Sequence, residues 1–130
     1  MKGFLLLLSF SLFLAKACDT GDDFNLGEAF TMEPGQEMAN SSSDLNVKWL
    51  EASEDSRCPK NTTCVWEGQA KINLTVNGDP MTLTLREGKP EEAKATFNGY
   101  VFEAMKLDPY PDGTDIDPAT YRLELVVTSL

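Results

Sequence analysis

The feature that most constrains this chain is its punctuation. From Asp19 onward, apolar and polar residues alternate in short runs cut by Gly, Pro, Asn and Asp, and no stretch keeps a helical period beyond two turns. Helical layers are thereby excluded, and the expectation is an all-β domain. The candidate strands are Phe24 to Met32, Leu45 to Ala52, Val65 to Val76, Met81 to Arg86, Ala93 to Phe97, Tyr100 to Leu107 and Tyr121 to Thr128. Leu45, Val47 and Trp49 share one strand face, as do Ala70, Ile72, Leu74 and Val76, and again Leu123, Leu125 and Val127. These are expected core faces of a small two-layer antiparallel β-sandwich of about seven strands, either immunoglobulin-like or a small barrel.

Turn chemistry fixes some of the neighbours. Asn77-Gly78 and Asn98-Gly99 each sit between two apolar runs, and both residue types tolerate positive φ, so each predicts a tight hairpin. Pro34-Gly35 is expected to close the first strand, Asn40 to Asp44 to form a polar loop, and Asp108 to Pro118 to run irregularly over the surface.

The N-terminus has a different character. Lys2 is followed by an apolar run from Phe4 to Leu14 broken only by Ser9 and Ser11, then by Ala15-Lys16-Ala17 and Cys18. That run is about half of what a spanning helix needs, so residues 1–17 are expected to be a signal peptide. Its removal leaves 9 Lys plus Arg against 21 Asp plus Glu, a balance of −12. Cys18 followed by Asp19, Thr20, Gly21, Asp22 and Asp23 resembles the lipobox of Bacteroidetes lipoproteins. The resemblance implies a lipidated Cys18, an acidic tether over residues 18–23, and an outer-membrane or cell-surface protein anchored in the membrane by its N-terminal lipid. Ala15-Lys16-Ala17 also fits ordinary cleavage, which would release a soluble secreted protein.

Asp55-Ser56-Arg57-Cys58-Pro59, four residues, and then Cys64-Val65-Trp66-Glu67-Gly68-Gln69-Ala70 form the distinctive motif. It resembles a family of small exported bacterial proteins, many of them Bacteroidetes lipoproteins, with a D-S-R-C-P-x4-C-x-W-x-G pattern. The resemblance implies an envelope location and a β-rich fold, and it carries no activity. In an oxidising compartment Cys58 and Cys64 are expected to form a disulfide closing a short loop, which contributes roughly 2 kcal/mol. A redox or metal pair would normally show tighter spacing or further ligands. Asp55 and Arg57 are expected to pair across the loop or to meet a partner, and Trp66 to pack on the core or the sulfurs, with a ligand platform as its alternative.

Composition removes whole classes of function. The chain contains 0 His, which excludes His-based triads, imidazole bases and His-ligated zinc. Its formal charge of −10 makes nucleic acid an unsuitable partner. Asp108, Asp112, Asp115 and Asp117 are weak calcium candidates, since the EF-hand pattern is absent; no cofactor is expected. Paired-carboxylate chemistry needs a cleft that a small sandwich rarely supplies, so no enzyme is expected. What remains is a non-enzymatic envelope or surface lipoprotein that binds an unknown protein or glycan. The alternative is an inhibitor of a secreted hydrolase that presents the disulfide-pinned loop around Arg57.

Overall fold

The computed structural model describes residues 22–130. The expected signal peptide and Cys18 lie outside the described residues. Among the described residues, nine strands form two sheets, and no barrel closes. The strands are β1 (Asp22–Asp23), β2 (Phe30–Met32), β3 (Glu37–Asn40), β4 (Leu45–Asp55), β5 (Ala70–Val76), β6 (Asp79–Leu85), β7 (Lys94–Phe97), β8 (Tyr100–Asp108) and β9 (Arg122–Ser129). One sheet has the order β1-β3-β4-β5-β6 and the other β2-β9-β8-β7. All pairs are antiparallel except β1 with β3.

The core forms where the alternation placed it. Leu45, Val47 and Trp49 of β4, all four inward positions of β5, and Leu123, Leu125 and Val127 of β9 are buried, together with Leu83, Phe102 and Leu107. Each strand turns alternate residues toward the opposite sheet, so a period of two makes one half-buried face. The two Asn-Gly turns join β5 to β6 and β7 to β8, with φ of 49° at Asn77 and 46° at Asn98, each followed by a glycine at positive φ.

Several expectations need correction. The strand over Phe24 to Met32 is broken: Phe24 enters the core, but only Phe30–Met32 pairs, with β9. The domain also begins earlier, because Asp22 and Asp23, assigned to the tether, pair with Met38 and Ala39. β3 occupies Glu37–Asn40, so the polar loop begins after Asn40 rather than at it. The third expected strand starts at Ala70, not Val65, because the chain between them belongs to a hairpin tip that projects beyond the sheet. Nine strands therefore stand among the described residues where about seven were expected, the additions being the two-residue edge strand β1 and the short β3 beside it.

Candidate functional site

Beyond Asp55 and Ala70, the last paired residues of β4 and β5, the hairpin continues without the rest of its sheet. Ser56 donates its N–H to Gln69 O at 2.7 Å, Gln69 N–H returns to the Ser56 hydroxyl at 3.2 Å, and Cys58 N–H reaches Glu67 O at 3.1 Å. Gly68 makes this approach possible. It has φ +66°, and a Cβ there would lie 1.8 Å from Ser56 O, so any side chain would collide with the facing backbone. Cys58 and Cys64 form the expected disulfide, S–S 2.07 Å, and Lys60 N–H donates to Pro111 O at 2.9 Å, which ties the tip to the long loop after β8.

The base of this arm is locked by charge. Arg57 donates Nε–H to Asp55 Oδ1 at 2.7 Å and an Nη2–H to Oδ2 at 2.8 Å. It also donates to Leu107 O at 2.7 Å and Pro109 O at 3.1 Å, and its guanidinium lies 4.9 Å from the centre of the Tyr110 ring. The Tyr121 hydroxyl completes the cluster by donating to Asp55 Oδ2 at 2.7 Å. Burial pushes the Asp55 carboxyl up, but Arg57 and the Tyr121 hydroxyl outweigh that and hold it below its ordinary value. Tyr121 is pushed up to about 12, first by burial and then by its hydrogen bond to the Asp55 carboxylate. Asp55 and Arg57 thus form the expected ion pair, with side chains only 10% and 9% exposed. The same geometry turns the Arg57 side chain inward onto Asp55 and the Leu107 carbonyl.

Trp66 corrects a second expectation. It does not join the core but is 51% exposed, because the arm has left the sandwich and no opposing layer remains to bury it. Trp49 fills the core instead, and Val65 beside Trp66 is fully exposed. The Arg86 guanidinium sits 5.8 Å from the centre of the Trp66 ring and is anchored by Glu67 at 2.8 Å and Glu92 at 3.8 Å. The hydrogen bonds that the Glu67 carboxylate accepts, first from its own backbone and then from Arg86, hold that carboxyl below its ordinary value.

A groove of about 510 Å³ opens beside the arm. Leu85, Arg86 and Glu87 at the end of β6 make one wall, Met105–Asp108 at the end of β8 the other, and Arg57, Glu67, Gly68 and Tyr110 close it. Met105 and Tyr110 are 48% and 40% exposed, so the groove presents apolar surface, and Arg86 of its lining carries Trp66 at its side. No local motif signals this groove, which is assembled from strand ends distant in the chain.

The four aspartates of the long loop are not gathered. Asp112 accepts from Thr114 N–H and hydroxyl, Asp117 caps a short 3-10 turn by accepting from Ala119 N–H, and Asp108 faces Lys106 at 3.3 Å. Among the described residues, no cluster of three or more His, Cys, Asp or Glu side chains has the arrangement of a metal site. No helix among them is long and apolar enough to cross a membrane.

No family model, curated protein or solved structure matches this chain.

Proposed function

We propose that this chain is a non-enzymatic, lipid-anchored surface protein that holds a partner against the face formed by the disulfide arm and the groove beside it. One observation carries the reading: a braced arm keeps Trp66 half-exposed next to a concave, partly apolar surface. An exposed aromatic at the rim of a groove is a common anchor for binding, and a rigid arm reduces the ordering lost on association. The internal roles of Asp55, Arg57, Gly68 and the disulfide suit a motif whose purpose is to hold that arm in place. The signal peptide, the lipid on Cys18 and display at the cell surface belong to this proposal, and rest on the sequence of residues 1–23.

The test is a capture experiment from envelope extract with the mature domain, comparing wild type with Trp66→Ala at matched thermal stability. A binding partner retained by wild type and lost by the variant supports the reading. Equal retention by both overturns it.

A further inference from the structure

β8, which forms one wall of the groove, runs on past the end of its neighbour β7. β7 pairs with β8 only from Tyr100 to Glu103, where Lys94 faces Glu103, whereas β8 continues to Asp108. On the other side β9 follows β8 all the way to Asp108. Before Lys94 the chain does not extend β7; it curls into a 3-10 turn, Pro90–Ala93, that packs against both β6 and β8. Residues Ala104–Asp108 therefore have no strand beside them on the groove side among the described residues. The Arg57 guanidinium takes Leu107 O, standing where a strand's donor would otherwise be.

The geometry points to this gap as a site of strand addition: an extended peptide segment of a partner protein lies in the groove and pairs with the open edge of β8. The inference rests on the proposal that the arm and groove form the binding face, and it names what binds there. An unpaired strand edge lacks a partner backbone, and only a peptide offers N–H and C=O groups at the spacing of a ladder. The groove also indicates which side chains the peptide carries. Its cations are already matched, Arg57 by Asp55, Arg86 by Glu67 and Lys106 by Asp108, so an acidic segment gains no free counter-charge. Leu85, Met105 and Tyr110 supply apolar surface instead, which suits uncharged apolar side chains at alternate positions. A bulge between Ala104 and Lys106 breaks the ladder at the point where β7 stops, and Met105, the extra residue, is 48% exposed. A bulge and a lysine on a short edge disfavour indiscriminate pairing and leave room for one short strand.

The probe is a phage-displayed library of random linear dodecapeptides selected on the mature domain. Enriched peptides with alternating apolar residues are expected, binding at least about tenfold more weakly to Met105→Asp, which places a charge on the groove wall. Hydrogen exchange on wild-type protein gives a readout independent of that variant: the amides of residues 104–108 should slow when a selected peptide binds. Protection confined to the arm, undiminished binding to a folded Met105→Asp, or protection of residues 104–108 by maltohexaose instead of peptide would overturn the inference. A library without enrichment also overturns it; if Trp66-dependent capture of an envelope partner still occurs, the binding face survives and only strand addition fails. Absence of both peptide enrichment and Trp66-dependent capture overturns the two together.

Discussion

Replacing Asp55 with Ala removes the centre of the lock at the base of the arm. Both members of the Asp55–Arg57 pair are about nine-tenths buried, so the variant leaves a guanidinium held away from water without its counter-charge. Breaking a buried pair from one side costs about 3 to 5 kcal/mol. The lower end applies, because Arg57 keeps the carbonyls of Leu107 and Pro109 as acceptors. Tyr121 also loses its acceptor, adding about 1 kcal/mol. The expected loss is thus about 4 kcal/mol, which for a domain of this size lowers Tm by about 15 °C. Urea and thermal unfolding followed by circular dichroism measure it directly. The sign of the pH dependence provides a second check. The folded-state pKa of Asp55 is depressed, so its contribution is present above the unfolded pKa and disappears as pH falls through the folded one. Wild type should therefore lose stability in acid more steeply than Asp55→Asn. A loss below about 1 kcal/mol, with parallel acid profiles for wild type and Asp55→Asn, would place the pair with ordinary surface ion pairs and refute the lock.

Other perturbations separate arm from core. Gly68→Ala, which puts a Cβ against Ser56 O, should cost more than about 2 kcal/mol by chemical denaturation, whereas Gly113→Ala, with open space around it, should cost less. Trp49→Ala should cost about 3 to 5 kcal/mol while Trp66→Ala costs less than about 1, and acrylamide should quench only one of the two tryptophans efficiently. Ultraviolet titration should leave Tyr121 protonated until about pH 12; since its folded pKa is raised, its contribution to stability is complete below the unfolded value near 10 and is lost as pH climbs through the folded one.

Where one face of a strand meets the core, the sequence states it openly. Val47, Ile72, Leu74 and Leu123 alternate with polar neighbours, and every one of them is buried. The Asn-Gly pairs were equally legible, because few other residues accept that backbone. β3 was not, since one of its inward positions is Asn40. That side chain is buried because its amide donates to Phe24 O and its oxygen accepts from Ser42 and Ser43, partners invisible to any hydrophobic pattern. β1 was hidden for a related reason: two exposed acidic residues pair with β3 through their backbone, with no apolar side chain to mark the strand. Trp66 was misread because size and hydrophobicity suggest a core, whereas burial depends on an opposing layer that ends before the arm does. The groove depends on where β7 stops relative to β8, a matter of register between segments that no local motif records.

Binding at the arm face can be tested in place with a photo-crosslinking amino acid, p-benzoyl-phenylalanine, introduced at position 65 of the protein in the cells that produce it. Val65 is fully exposed beside Trp66, while Leu50, 45% exposed on β4, marks a different part of the surface. Irradiation should give one discrete adduct from position 65 and none from position 50. No adduct from position 65, or the same adducts from both positions, would contradict a dedicated binding face on the arm.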